Sequence, residues 1–214
     1  MNITYIFDFD GTIADSFKFI AEFMRTRLGA WGAKKNLNIN NLDELRSLSY
    51  TEIFNYFDIP LRKLPFILYE VRKEMRYNIS HIKPVHKILD VLTALKNNGD
   101  TLLILTSNSV ENVENFLSNH QFDHVIDKVY SEKSFFSKCS KLEKIIRHNK
   151  LNLSKTVYIG DEIRDITAAR SNQIKSIAVS WGFQTETILI KHCPDVLIKC
   201  PSEILSLGTK DFFL

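Results

Sequence analysis

The chain has 214 residues, 28 Lys/Arg against 25 Asp/Glu, a formal charge of +3 and 44% hydrophobic content. That length suits one α/β domain or a core with a small insert, and so small a charge gives no electrostatic footprint for nucleic acid. No apolar run approaches the ~20 residues that span a bilayer, no basic segment precedes the first apolar run, and Cys139, Cys193 and Cys200 form no C-x-x-C pair, so the expectation is a cytoplasmic protein with reduced thiols and no membrane partner, its oligomeric state open.

The first predicted element is a short buried strand, Ile3-Thr-Tyr-Ile-Phe7, rich in β-branched and aromatic residues. Asp8 and Asp10 follow with one residue between them, and Gly11 ends the strand in a turn. Two carboxylates at the end of an apolar strand are costly to bury unless a cation sits between them. Oxygen-only donors suit Mg²⁺.

Residues 17–83 read differently. Phe17, Phe19, Phe23, Trp31, Phe54, Tyr56, Phe57, Phe66 and Tyr69 fall at mostly helical spacing, with no clear strand, and Pro60, Pro65 and Pro84 punctuate the segment. The spacing predicts a helical insert whose aromatics pack its own core. It holds 12 Lys/Arg against 7 Asp/Glu, a net +5, so the remainder of the chain carries 3 − 5 = −2. A basic insert suits a negatively charged substrate, and it suits a solvated surface equally well.

From residue 84 onward, apolar runs alternate with helical patterns. Leu102–Leu105 ends in Thr106-Ser107-Asn108, Thr156–Ile159 in Gly160-Asp161, and Ser176–Val179 in Ser180-Trp181-Gly182; Asp195–Ile198 is the last run. Continuous apolar strands between helices predict a three-layer α/β fold, a Rossmann-like parallel sheet covered on both faces, with ligands beyond the carboxyl ends of its strands. Thr106, Ser107 and Asn108 precede the helical pattern Val110, Val113, Phe116, Leu117. That places them at a helix N-terminus, where they could bind phosphate or where Ser107, Asn108 or Ser109 could simply cap the helix. Asp161 and Asp165, four apart, share a face if they lie in the first helical turn. Acids there also complement the helix dipole, but three acids in five residues, Asp161, Glu162 and Asp165, exceed what capping needs.

Taken together, D-F-D-G-T-I-A-D-S at the N-terminus, the Thr106-Ser107-Asn108 run and G-D-x-x-x-D-I from Gly160 resemble the motifs of the haloacid dehalogenase superfamily, most closely its phosphoglycolate-phosphatase-like branch. The resemblance covers residues 1–16 and about 84–205, and it implies an α/β core of 1–16 and 84–214 with a helical cap at 17–83. It implies that Asp8 is a nucleophile that becomes an aspartyl-phosphate and that Asp10 is the general acid/base. Thr106, with the Ser107 and Asn108 backbone, would bind the phosphoryl oxygens. Mg²⁺ would be held by Asp8, the Asp10 carbonyl and Asp161, with Asp165 or Glu162 in support; Arg164 and Arg170 are expected to serve the surface.

The family also places a lysine near the nucleophile, ahead of the helix that precedes the last of these motifs. Lys138 and Lys141 are the candidates. Leu142, Ile145 and Ile146 define the buried face of that helix, and at ~100° per residue Lys138 lies near its centre while Lys141 lies about a quarter turn away. The string Phe136-Ser137-Lys138-x-x-x-Leu142 also resembles the family's spacing, so Lys138 is preferred. The implied activity is Mg²⁺-dependent hydrolysis of a small phosphorylated metabolite. A phosphoglucomutase-type transfer and a non-catalytic binding module with the same fold are the alternatives.

Overall fold

The computed structural model describes residues 2–37, 42–132 and 137–207. Its centre is one six-stranded, all-parallel sheet of order β3-β2-β1-β4-β5-β6. The strands are β1 (Thr4–Phe7), β2 (Thr101–Thr106), β3 (Lys128–Ser131), β4 (Thr156–Gly160), β5 (Lys175–Val179) and β6 (Val196–Ile198). Five of them coincide with the apolar runs. The sixth, β3, is a part-exposed edge strand of sequence Lys-Val-Tyr-Ser and carries no apolar run to announce it.

The register explains where the chemistry falls. Phe7 at the end of β1 pairs with Ile104 of β2 and Ile159 of β4. Sequence order reverses direction around β1, so the crevice of this doubly wound sheet opens at its carboxyl end. The residues that leave these strands, Asp8, Thr106-Ser107 and Gly160-Asp161, therefore emerge side by side.

Helices cover both faces: α5 (Ile88–Asn97), α6 (Val110–Asn119), α7 (Lys138–His148), α8 (Ile163–Ser171), α9 (Glu186–Lys191) and α10 (Glu203–Leu207). One face packs Tyr5, Phe7 and Ile104 against Val91, Leu92 and Phe116. The other packs Ile6, Leu105 and Tyr158 against Leu142, Ile145 and Ala168. Among the described residues no helix is long and apolar enough to cross a membrane.

Between β1 and α5 the chain is helical, as its spacing predicts: α1 (Phe17–Arg27), α2 (Leu42–Arg46), α3 (Tyr50–Tyr56) and α4 (Leu64–Asn78). Ser49 and Glu52 form a capping box that starts α3, and Pro65 sits in the first turn of α4, where no N–H is missed. These helices bury a core of their own, with Leu28, Trp31, Phe54, Phe57, Leu64 and Ile67. The exit and return of this segment run together. Asp15 N donates to Lys83 O and Val85 N to Ile13 O, each at 2.9 Å. Two aromatics depart from the expected packing: Phe66 and Tyr69 on α4 are 53% and 60% exposed, because helical spacing fixes which residues share a face but not which face finds a neighbour.

Candidate active site

Asp8 is the first residue beyond β1, and its N–H still donates to Ile159 O of β4 at 2.8 Å. That bond holds a carboxylate only 1% exposed at the floor of the crevice. Its Oδ1 accepts from Phe9 N at 2.8 Å, and its Oδ2 lies 2.9 Å from Lys138 Nζ. Lys138 opens α7, whose Leu142, Ile145 and Ile146 are buried against the sheet, and it pairs with Asp165 as well as Asp8. Burial alone would push the Lys138 ammonium down, as would Arg164, but Asp165, Asp8 and Glu162 outweigh both and hold it above its usual value. Lys141 is part-exposed. Phe136, part of the motif string, lies outside the described residues, as does Lys133.

Asp10 sits apart from this ion pair. Its Oδ1 accepts from Ser16 Oγ at 2.9 Å and its Oδ2 from Asn108 Nδ2 at 3.0 Å. Burial pushes its carboxyl up to about 7; the bonds from Ser16 and Asn108 pull it down, while Asp8 and Glu162 push it further up. A carboxyl poised there can give and take a proton near neutrality.

Ser109, rather than Ser107 or Asn108, caps α6, accepting from Asn112 N. Ser107 and Asn108 are thereby left in the loop facing Asp10. Thr106 is fully buried and its Oγ1 accepts from Asn108 N at 2.9 Å. Ser107 Oγ accepts from Arg164 Nη2 at 3.2 Å.

Asp161, Glu162 and Asp165 follow β4. Oxygens of Asp8, Glu162 and Asp165 lie within 4.8 Å of one another, a buried set of hard donors that fits a small divalent cation. Asp161 lies beside this set rather than in it. Its Oδ1 accepts from Thr12 Oγ1 at 2.7 Å and its Oδ2 from Phe183 N at 2.6 Å. A Cβ at Gly11, whose φ is +77°, would come within 2.3 Å of Asp161 Oδ2, and one at Gly182 within 2.2 Å. Two glycines therefore make room for this carboxylate, and no other residue could replace Gly11 without strain. Asp165 has two tasks: its Oδ2 accepts from Glu162 N at 3.0 Å, capping α8, and its Oδ1 holds Lys138. The sequence reading groups Asp8, the Asp10 carbonyl, Asp161 and Asp165 as metal ligands. The structure brings Asp8, Glu162 and Asp165 together, holds Asp161 beside them through Thr12 and Phe183, and turns the Asp10 side chain, which that reading does not give to the metal, toward Ser16 and Asn108.

Arg164 corrects an expectation. Its side chain is only 15% exposed and turns into the site, pairing with Glu162, with Glu132 at 3.0 Å and, at 3.9 Å, with Asp8. Arg170, by contrast, is exposed and donates to the His192 and Cys193 carbonyls. Two further residues carry no motif signal. Glu132, just after β3, buries a carboxylate whose Oε2 has no hydrogen-bond partner, and burial raises its pKa against the pull of Lys138 and Arg164. Arg72 reaches in from α4 to donate to Ser107 O at 2.5 Å and Glu132 O at 2.9 Å, tying a helix of the insert to both loops.

These pKa shifts set a pH dependence of stability. Burial raises Asp10 and Asp165 to about 7 and raises Asp161 as well, the last two further pressed by neighbouring carboxylates. An unfolded Asp titrates at about 4, so between roughly pH 4 and 7 the folded state holds the extra protons and stability falls as pH rises. Chelated protein should therefore melt at a lower temperature at pH 8 than at pH 5.5. Mg²⁺, which competes with those protons, should raise the melting temperature more at pH 8. A melting temperature that climbs with pH in chelator would refute the assignment.

The sequence and the fold have counterparts. A family model described as haloacid dehalogenase-like hydrolase matches residues 5–179. A phosphoglycolate phosphatase of Synechococcus elongatus is 27% identical over 205 residues, 96% of either chain. Among solved structures, a predicted phosphatase from Clostridium acetobutylicum superposes with a TM-score of 0.80 at 18% identity, covering 96% of this chain and 97% of that one. A haloacid dehalogenase-like family hydrolase from Streptococcus pneumoniae gives 0.78 at 20%, covering 97% and 99%. With the family match spanning most of the sheet and every strand-end carboxylate described above, this chain belongs to the haloacid dehalogenase-like hydrolases.

Proposed function

We propose that this hydrolase cleaves phosphomonoesters through an aspartyl-phosphate on Asp8, with Mg²⁺ as its cofactor and a small phosphorylated metabolite as its substrate. The observation that carries the reading is the division of labour between Asp8 and Asp10. Asp8 lies 2.9 Å from the Lys138 ammonium, a cation placed to face a carboxylate nucleophile. Asp10, two residues on, is raised to about 7 chiefly by burial and can hold a proton.

In the first half-reaction an Asp8 oxygen bonds to phosphorus, the bond from phosphorus to the ester oxygen breaks, and Asp10 gives its proton to that oxygen. In the second, Asp10 takes a proton from water, the water oxygen bonds to phosphorus and the Asp8 bond breaks. Lys138 and Arg164 face the charge that develops on the phosphoryl oxygens, the Ser107 hydroxyl sits against Arg164, and the buried Thr106 hydroxyl holds the loop by accepting from Asn108 N. Asp165 is a positioning residue that holds Lys138. Glu132 and Glu162 do the same for Arg164. We place the domain boundary where residues 13–15 and 83–85 pair, with 17–83 as the cap.

Asp8, Glu162 and Asp165, with Asp161 alongside, would hold Mg²⁺; when bound it supplies positive charge that offsets the nucleophile and the phosphoryl group. Support comes from the donor set itself, which is all oxygen and buried. The test is phosphate release from p-nitrophenyl phosphate. Activity should require Mg²⁺, vanish on chelation and return poorly with Ca²⁺, which takes more ligands at longer distance. Full activity with Ca²⁺ or in excess chelator would sink the metal assignment, and phosphate appearing on a sugar rather than in solution would favour the transferase reading.

Asp10→Asn should let the phosphoenzyme form from an activated ester while slowing its breakdown, since water is no longer deprotonated. Rapid-quench labelling should find accumulated phosphoenzyme; normal steady turnover would defeat this role.

A further inference from the structure

A cavity of about 170 Å³ runs from Asp10, Asn108 and Arg164, the last 3.9 Å from Asp8, into the helical cap. Its mouth is polar, bordered by Asp10, Asn108 and Arg164, whereas its walls are apolar, with Ile20 and Met24 of α1, Phe54 of α3, and Leu68 and Val71 of α4. A phosphoryl group at Asp8 would direct the rest of its ester through that mouth into those walls. We infer that the leaving group this enzyme selects is apolar: an alkyl or aryl alcohol of roughly ring size rather than a carboxylate or a sugar. The inference rests on the phosphomonoesterase reading and adds the substrate class.

Size and chemistry agree. An apolar cavity of about 150 Å³ stays dry and takes a benzene ring, so this one has room for a ring or a short alkyl chain. The polar side chains deeper in the lining already have protein partners. Arg46 donates to Gly182 O at 2.8 Å, Phe183 O at 3.2 Å and Asp43 at 2.9 Å. Arg72 spends its Nε and Nη2 on Ser107 and Glu132 carbonyls. Gln184 accepts from Ile163 N and donates to Leu48 O. A carboxylate or polyol entering here would shed its hydration against apolar walls, or break one of these bonds. The basic excess of the insert does not change this, because of its 12 Lys/Arg only Arg46 and Arg72 reach the cavity.

The experiment measures binding apart from turnover. Calorimetric titration of the wild-type protein in Mg²⁺ with a series from methyl- to hexylphosphonate should show Kd falling about fourfold per methylene, levelling off once the chain outgrows the cavity. Phosphonoacetate, which carries a carboxylate in place of the chain, should bind more weakly than propylphosphonate. Ala21→Phe, which puts a ring into the cavity from α1, should bring the plateau to a shorter chain. A flat series, or phosphonoacetate binding tighter than propylphosphonate, overturns the inference, and the wild-type series decides it even if Ala21→Phe fails to fold. Phosphate release from acetyl phosphate, whose leaving group is too small to fill the cavity, reports on the phosphatase reading alone.

Discussion

Replacing Asp8 with Asn should remove turnover while leaving the fold intact. The amide oxygen is a far weaker nucleophile than a carboxylate, and loss of a covalent nucleophile costs on the order of 10⁴-fold or more in kcat. The site also predicts why the protein survives the change. Asp8 lies among the buried acids Glu132, Asp161, Glu162 and Asp165, and its charge pushes the carboxyls of Asp161 and Asp165 up. Asn is nearly isosteric and relieves that repulsion, while Lys138 keeps its pairing with Asp165. The melting temperature in chelator should therefore hold or rise, and Mg²⁺ should shift it less than in the wild type, because a charged ligand is gone. Phosphate release within tenfold of wild type would refute Asp8 as the nucleophile. A large loss of melting temperature would mean that the Asp8–Lys138 pair is a structural keystone instead.

How much of this was legible beforehand varies with the kind of signal. The strands that carry the site are continuous apolar runs, and their ends deliver polar residues to one edge of a parallel sheet, so Asp8, Thr106 and Asp161 could be placed from spacing. Lys138 could be placed because its helix has a clear apolar stripe. The strand β3 could not, since an edge strand of four residues needs no apolar run. Arg164 looked like a surface residue because helix periodicity turns it away from the buried stripe of α8. Its guanidinium reaches back over the helix N-terminus to Glu132 and Glu162, a path set by the length of the side chain rather than by its Cβ direction. Glu132 and Arg72 belong to no local pattern at all. They meet through a hydrogen bond between residues 60 apart, which only the folded chain supplies. Asp161 was visible as a strand-end acid, but the contacts from Thr12 and Phe183 that hold it beside Asp8, Glu162 and Asp165 come from two other loops.

Lys138→Met and Lys141→Met should separate the two candidate lysines. Met keeps most of the bulk and deletes the charge. At Lys138 the ammonium is 2.9 Å from Asp8 Oδ2, 2% exposed, and shared with Asp165. Removing it strips the phosphoryl group of a preorganised cation, an effect worth roughly 10²–10³-fold in kcat, and leaves Asp8 and Asp165 facing each other uncompensated. Breaking a buried pair from one side costs about 3–5 kcal/mol. That repulsion acts only while both carboxylates are charged, so the loss in melting temperature should be greater at pH 8 than at pH 5.5, and Mg²⁺ should recover part of it without recovering kcat. At Lys141, three residues on, the side chain is part-exposed and outside the buried Leu142, Ile145 and Ile146 face, so kcat and melting temperature should stay within about twofold and a degree or two. The two readouts together exclude a trivial explanation, because a variant that merely unfolds would lose its melting transition at both pH values and regain activity wherever Mg²⁺ restores the fold. If Lys141→Met is the inactive variant and Lys138→Met the mild one, α7 enters the site one turn later than its apolar stripe requires, and the pairing of Lys138 with Asp8 is not the one that supports chemistry.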